Sequence, residues 1–250
     1  MINIQDSLNS SFWGVLRGLA VQPVVFPLGA IKVHQQLSKE PQNAASIAKK
    51  LYQEGGFRRF YLGISPELVK VSTKQFWCWP MITGVPRFLN RFRLNDIEKQ
   101  LITGLLVSTT DALIATSLES RKVNTISSGK SQKLSFKVYK EGWQGFGIHW
   151  TKLSVSWTAF LTAQQYLRSR AKSPTETTLP LRKLAVIGTQ VAIFVTVISA
   201  PLDLATTRKL VKNEKVSLSR HLFRGSPLNG LALIIQNITS VILLDWLQQH

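Results

Sequence analysis

Cysteine and acidic residues are scarce in this sequence. Cys78 is the single cysteine among 250 residues, which excludes a disulfide framework and a cysteine-based zinc site. The four histidines show no metal-ligand spacing, so no metal is predicted. Asp and Glu number 13 against 31 Lys and Arg, and the resulting formal net charge of +18 predicts anionic partners such as lipid headgroups, metabolites or nucleic acid.

Long stretches with little charge help to decide between these partners. Charged residues make up 18% of the chain, below the value of about 25% that is typical of soluble proteins. Residues 184–200 and 231–244 carry no charge, and residues 101–118 carry only Asp111. A basic nucleic-acid-binding domain would explain the net charge but not these runs. The composition therefore favours a membrane protein, without nucleic acid as a partner.

Targeting and catalytic signatures are also missing. Residues 1–6 lack the basic and apolar regions of a secretory signal and do not form an Arg-rich presequence, so we expect internal targeting information. No P-loop, GxGxxG or GxSxG motif and no pair of catalytic carboxylates stands in a usable context. We therefore expect neither an enzyme nor a cofactor.

The chain contains one pattern in three rounds. Each round has a long helix, a short amphipathic segment and a second long helix, over approximately residues 8–92, 95–172 and 180–248 of a single domain that spans residues 1–250. Repeats of this size cannot bury themselves alone in a bilayer. They predict an all-α membrane protein with six transmembrane helices in a three-fold pseudo-symmetric bundle. Steps of small residues, such as Gly14 with Gly18 and Gly104 with Ser108, predict close helix contacts.

Related motifs recur near the end of the first helix of each round. They begin at Pro27, Ser117 and Pro201, where we expect the helices to bend. Glu54-Gly55 and Glu141-Gly142 follow in two rounds, and Tyr61-Leu62-Gly63 and Phe223-Arg224-Gly225 lead into later helices. Nearly the whole chain thereby resembles the mitochondrial carrier family, whose repeat reads P-x-[DE]-x-x-[KR], then [DE]-G, then an aromatic-basic-Gly step.

The resemblance implies a carrier bundle with short amphipathic helices on the matrix side and a central water-filled cavity that opens alternately to either side of the mitochondrial inner membrane. It also implies a ring of ion pairs that closes the matrix side, in which the acid of one repeat pairs with the base of the next. One pair, Asp203 with Lys32, is intact, and Gln36 would brace the ring.

The other two positions of this matrix gate are incomplete. By the family's pairing, Glu119 would meet only the hydroxyl group of Thr206. Lys122 would meet Gly29, which offers no side chain. The opposite gate is poorer still and is assigned, from the same resemblance, to Gln165, Arg168, Asp245 and Gln248, with one possible bridge between Asp245 and Arg168.

The family's substrate-contact positions fall on Lys70 and on Lys152 with Leu153, and we add Lys74, which lies one turn from Lys70. Ionisable residues within membrane spans are candidates for function because burying them is costly. Lys74 could instead extend to the membrane interface. Asp111 could neutralise Lys70 or Lys152, couple transport to protons or form a structural pair. His149 and the tryptophans, including Trp157, are expected at interfaces or in packing contacts.

Two functions remain open on this basis. The first is a monomeric membrane transporter that resembles mitochondrial carriers and moves a small anionic metabolite, a nucleotide or a carboxylate, by alternating access. The second is a transport-inactive homologue that acts as a membrane scaffold, adaptor or insertion factor, since most gate pairs are lost. The expected location is the mitochondrial inner membrane, or another organelle or a host mitochondrion if the gene is bacterial. Bound cardiolipin is a family expectation, assigned to Tyr61, Gly63, Arg224 and Gly225.

Overall fold

The computed structural model describes residues 4–38, 40, 42–130, 142–171, 180–212 and 223–249, and these residues form helices without any strand. The α-helices are α1 (Ile4–Leu37), α2 (Ala44–Phe60), α3 (Ile64–Leu89), α4 (Asp96–Ser128), α5 (Phe146–Ala171), α6 (Leu181–Lys212) and α7 (Ser226–Gln249). A short 3₁₀ helix, Gly142–Gly145, leads into α5. The prediction of an all-α fold is confirmed.

Six of these helices have the length of a membrane span. They contain between 24 and 34 residues, and a helix of about 20 residues crosses a hydrocarbon core of about 30 Å. We call α1, α4 and α6 the first helices, and α3, α5 and α7 the second helices. Among the residues searched, Ser11–Leu37, Asp96–Ser128 and Leu181–Val211 are long and apolar enough to cross a membrane. All three are first helices.

Charged side chains interrupt two of the second helices, α3 and α5. Glu67, Lys70 and Lys74 lie within α3, and Lys152 lies within α5. The contacts of these side chains with neighbouring helices, described below, explain how the charges are accommodated.

Neighbouring helices are antiparallel and close into a ring. The backbone of α1 approaches α3 at Gly14 and Gly18, opposite Trp79 and Val71 respectively. Gly104 of α4 lies against Thr158 of α5, and the hydroxyl groups of Ser108 and Ser154 lie 2.9 Å apart. Contacts of α3 with α4, of α5 with α6, of α6 with α7 and of α7 with α1 complete the ring. We call the end at which the first helices finish and the second helices begin the loop end.

Local sequence signals set several helix ends. Asn95 and Glu98 form a reciprocal capping box at the start of α4, with both hydrogen bonds at 2.8 Å. Gly129 ends α4 with φ +69°, a left-handed conformation that glycine adopts without steric cost. Nearby, Arg59 donates a hydrogen bond of 3.2 Å to the carbonyl oxygen of Ile126 and so ties the segment after α2 to the end of α4.

Two glycines divide α2 into two helical pieces. Gly55 and Gly56 have non-helical dihedral angles, and the chain then turns helical again up to Phe60. The amphipathic segments predicted near 133–140 and 216–223 lie outside the described residues, apart from Phe223. Helices α1 and α6 remain helical through Pro27 and Pro201, and the bends at Pro27, Ser117 and Pro201 stay predictions.

Hydroxyl side chains are common in the apolar helices, and many bond to the preceding turn. The hydroxyl groups of Thr116, Thr158 and Thr196 each donate to the carbonyl oxygen four residues earlier, at 2.6 to 2.7 Å. This local bond satisfies the donor without a partner from another helix. Such helices can therefore carry threonine and still lie in a membrane.

Gly104 generates a prediction about helix packing. A Cβ atom added to Gly104 would lie 2.8 Å from the Cα atom of Thr158, whereas one added to Gly147 in α5 would meet nothing within 4 Å. We expect Gly104→Ala to destabilise the protein by about 1–3 kcal/mol through overpacking. Gly147→Ala is the matched control and should not lower stability. Thermal unfolding in detergent measures both, and equal midpoints for the two variants would disprove this contact.

Candidate functional site

Asp203 is a buried carboxylate of the loop end with partners on two other helices. It is 4% exposed, and Lys32 of α1 and Lys152 of α5 lie 2.6 Å and 2.7 Å from its two oxygen atoms. Gln36 donates a further hydrogen bond of 2.8 Å and accepts one of 2.7 Å from the hydroxyl group of Thr207. A carboxylate buried this deeply requires such partners because an unpaired charge in the interior is very costly. Asp203 therefore links three helices.

A second cluster consists of two lysines and two glutamates in alternation. Lys70 lies 2.6 Å from Glu67 and 2.5 Å from Glu119. Lys122 lies 2.5 Å from Glu119 and 3.1 Å from Glu67, which closes the cluster into a four-membered ring of charges. Gln22 of α1 donates a hydrogen bond of 2.9 Å to Glu67. The cluster is electrically neutral and ties α3 to α4.

Two side-chain pairings that the family resemblance implied are wrong. Glu119 contacts Lys70 and Lys122 rather than Thr206, whose hydroxyl group donates to the carbonyl oxygen of Leu202. Lys122 does not lack a partner, because Glu67 takes the position opposite it. Glu67 lies one helical turn before Lys70 and was not among the predicted site residues. The residues at the same position of α5 and α7, His149 and Asn229, are also polar, but polarity alone does not identify Lys122 as a partner of Glu67.

The clusters follow the three-fold arrangement at two of its three positions. Lys70 and Lys152 each lie six residues after the start of a second helix. Each pairs with the acid that lies two residues after Ser117 or Pro201, respectively Glu119 and Asp203. At the third position the corresponding residues are Ala232 and Gly29, so the base and the acid are both absent. Lys32 instead donates a hydrogen bond of 2.8 Å to Asn229.

A third cluster lies farther from the loop end and contains Lys74, Asp111 and Trp157. The ammonium group of Lys74 lies 2.7 Å from Asp111 and 5.0 Å from the centre of the Trp157 ring. The indole nitrogen of Trp157 donates a hydrogen bond of 2.9 Å to the same carboxylate oxygen. Asp111 thus pairs with Lys74 and not with Lys70 or Lys152, and Lys74 does not extend to the membrane interface.

The other predicted site residues lie in different environments. His149 is 3% exposed and shares a hydrogen bond of 3.0 Å with Thr116, so its predicted interfacial position is wrong. Its packing between α4 and α5 explains the burial. Leu153 is half-buried beside Lys152, Gln165 is half-buried and Arg168 is exposed. The side chains of Asp245 and Gln248 lie outside the described part of α7, so the opposite gate stays a prediction.

The residues predicted to bind lipid all contact helices at the loop end. Gly225 has φ +80°, and a Cβ atom there would lie 3.0 Å from Lys32. Arg224 donates a hydrogen bond to the carbonyl oxygen of Ser38 at the end of α1. Gly63 has φ +88° and lies against the backbone of Lys122, and Tyr61 stacks on Phe26. Close packing of second helices on first helices therefore requires both glycines.

Two similarities to known proteins bear on this site. The sequence model of the family described as "Mitochondrial carrier protein" matches residues 5–93, which cover α1, α2 and α3. A stretch of 64 residues is 36% identical to the mitochondrial carnitine carrier of Saccharomyces cerevisiae and covers 25% of this chain. Over residues 5–93 this chain is therefore similar to the mitochondrial carrier family. The stretch matched spans 20% of that relative's length.

Compared with the pattern of the mitochondrial carrier family, the loop end of this chain is unusual. The family's pairing joins acid and base of different first helices, and Lys32 with Asp203 has that form. Here the lysines of second helices, Lys70 and Lys152, add further pairs to the same acids. Lys70 and Lys152 are also the residues that the family resemblance assigns to substrate, so the predicted gate and the predicted substrate positions share side chains.

The coupling between Glu67 and Lys122 can be measured by a double-mutant cycle. Both side chains are largely buried, so Glu67→Gln and Lys122→Gln should each destabilise the protein, and the double variant should be less destabilised than the sum of the two. We expect a coupling free energy of about 1–3 kcal/mol in detergent unfolding experiments. The pair Asp96 and Lys99, in which the Asp96 side chain is 72% exposed, serves as the control cycle and should couple more weakly. Strict additivity at Glu67 and Lys122 would refute the pair.

Proposed function

We propose that this carrier is a membrane transporter that moves a small anionic metabolite, a nucleotide or a carboxylate, across the mitochondrial inner membrane by alternating access. The observation that supports this most is the position of Lys152. It lies at a family substrate position and is 2.7 Å from the gate acid Asp203. An anion that binds Lys152 must therefore compete directly with the gate.

The charges of the three clusters favour an anionic substrate. Five lysines face four carboxylates, which leaves one positive charge in excess, and that excess lies in the cluster around Asp203. Lys32 and Lys152 share this single acid, whereas the cluster of Lys70 is neutral. Lys152 is therefore the lysine that can bind an anion at the lowest electrostatic cost. Leu153 beside it offers an apolar surface to the body of the substrate.

Competition for Lys152 provides a coupling between binding and opening. When an anion takes Lys152, Asp203 keeps Lys32 and Gln36 but loses one of two ion pairs. The anion replaces Asp203 as the partner of Lys152, so no buried charge is left unpaired and the exchange can shift a conformational equilibrium without a large barrier. The loop end then opens and the substrate leaves on that side.

The vacant third position favours easy opening. Gly29 and Ala232 supply neither acid nor base, and a Cβ atom added to Gly29 would meet nothing within 4 Å. The same vacancy supports the second candidate, a transport-inactive homologue that acts as a membrane scaffold, adaptor or insertion factor. An uptake experiment separates the two.

Lipid and assembly form part of the proposal. Anionic headgroups such as those of cardiolipin would meet the basic surface of a chain with a net charge of +18, near Tyr61, Gly63, Arg224 and Gly225. The positive ends of the helix dipoles at the starts of α3 and α7 also favour phosphate. The ring of six long helices closes within one chain, which is consistent with a working monomer.

Uptake into liposomes tests the proposed function. The purified protein is reconstituted with and without cardiolipin, and uptake is measured for a panel of nucleotides, carboxylates and carnitine. The transporter predicts saturable uptake of at least one compound above the level of empty liposomes. Uptake at the empty-liposome level for the whole panel, with a folded protein, would refute it and leave the scaffold as the better account.

Lys152→Ala should abolish this uptake, because it removes the cation that holds the substrate anion. Membrane insertion should persist, since Asp203 retains Lys32 and Gln36. Lys49→Ala on the exposed face of α2 is the matched control and should transport like the wild type. Initial uptake rates at several substrate concentrations are the measurement. A Lys152→Ala rate equal to that of the control would exclude Lys152 from the site.

Restoring the third pair should slow transport. The double variant Gly29→Asp with Ala232→Lys places an acid and a base at the positions that Asp203 and Lys152 occupy in the other round. An added pair of about 1 kcal/mol would favour the closed loop end about fivefold and reduce the uptake rate accordingly. Gly29→Ala is the uncharged control. A double variant that transports as fast as Gly29→Ala would show that this position does not control opening.

A further inference from the structure

The cluster of Lys74, Asp111 and Trp157 takes no part in the gate. Its side chains come from α3, α4 and α5, and the cluster lies beyond the ring of Lys70 on the side away from the loop end. On α3, Lys74 follows Lys70 by one turn, a rise of about 6 Å along the helix. The cluster is therefore a separate site next to the substrate positions.

Asp111 and Trp157 together have the chemistry of a site for an organic cation. Asp111 is 1% exposed, and one carboxylate oxygen receives Lys74 at 2.7 Å and the indole N–H group at 2.9 Å. The ammonium group of Lys74 also lies within 5.0 Å of the ring centre. A carboxylate combined with the face of a tryptophan is the environment that binds alkylammonium groups in proteins.

The carboxylate of Asp111 is also incompletely satisfied. Its second oxygen, Oδ1, is buried and has no hydrogen-bond partner among the described residues. Buried oxygen atoms are rarely left in this state without a functional reason. The side chain of Lys74 is 24% exposed, so the ammonium group that occupies the site can withdraw and be replaced. A second cation would find the same carboxylate and the same ring.

We propose that Asp111 and Trp157 bind a positively charged group of the substrate, and that Lys74 occupies their site when no substrate is bound. This inference rests on the proposed transport function and narrows its substrate class to zwitterions. The anionic group of such a substrate binds Lys152 or Lys70, and its ammonium group binds about one helical turn away. An ammonium group separated from a carboxylate by three or four bonds fits that spacing.

A pair of isosteric compounds tests the cation site. 4-(Trimethylammonio)butanoate and 5,5-dimethylhexanoate have the same shape, and only the first carries a positive charge. Initial uptake of each is measured in liposomes that contain the full-length protein, and the readout is the ratio of their transport efficiencies. The wild type should favour the zwitterion by about tenfold or more, because a desolvated cation over an indole ring beside a carboxylate gains about 1–2 kcal/mol.

Two variants separate a binding site from a structural pair. Asp111→Asn should lower the ratio about tenfold, whereas Lys74→Gln should raise it, because the competing ammonium group is removed. A merely structural pair would make both variants lose uptake of the two compounds in proportion, with an unchanged ratio, and that result would overturn the inference. If Asp111→Asn does not fold, Trp157→Leu replaces it with the same expected fall.

The wild type itself gives two further outcomes. Uptake of anions from the wider panel without any preference for the zwitterion would overturn the cation site and leave the transport function standing. Absence of uptake for every compound would refute the transport function together with this inference. The failure of one claim is therefore distinguishable from the failure of the other.

Discussion

The loop end depends on the burial of one carboxylate, Asp203. Two lysines from different helices and one glutamine converge on it, and each of them would be costly to bury without this acid. Its contacts join α1, α5 and α6, so three helices share one electrostatic centre. The hydrophobic contacts of Phe26, Ala30 and Val33 with α4 lie in the same layer and pack the adjacent pair of first helices. Apolar packing holds α1 and α4 together, and Asp203 determines how α6, the remaining first helix, joins them.

The three-fold arrangement is kept in geometry and only partly in chemistry. At two positions a second helix supplies a lysine to the acid of the following first helix, and at the third position Ala232 and Gly29 have lost both partners together. Loss of one partner alone would leave a buried uncompensated charge, whereas loss of both leaves a site without charge. The vacancy therefore costs little stability. It also makes one side of the gate different from the other two, which a strictly symmetric carrier would not show.

Periodicity and spacing were sufficient for the helices and for the small-residue contact of Gly104, whereas the meeting of Lys32 with Asp203 was implied by the family resemblance. The partners of Glu119, Lys122 and Asp111 could not be obtained in this way, because they depend on how each second helix is rotated about its own axis. Glu67 stands in the first turn of α3, where an acid is favoured by the helix dipole in any protein, so its sequence position carried no special signal. Trp157 was expected at an interface or in a packing contact, and only the fold brings its indole nitrogen to Asp111.

In the proposed mechanism, substrate and gate compete for the same lysines. Substrate binding must therefore change the conformation of the loop end. Distances between spin labels at Lys130 and Phe223, two exposed loop-end positions, measure this directly by double electron–electron resonance in a Cys78→Ser background. Addition of a transported compound should move part of the distance distribution to longer values, and the Lys152→Ala variant should not respond. A distribution that stays unchanged at saturating substrate, in protein that demonstrably transports it, would contradict the account.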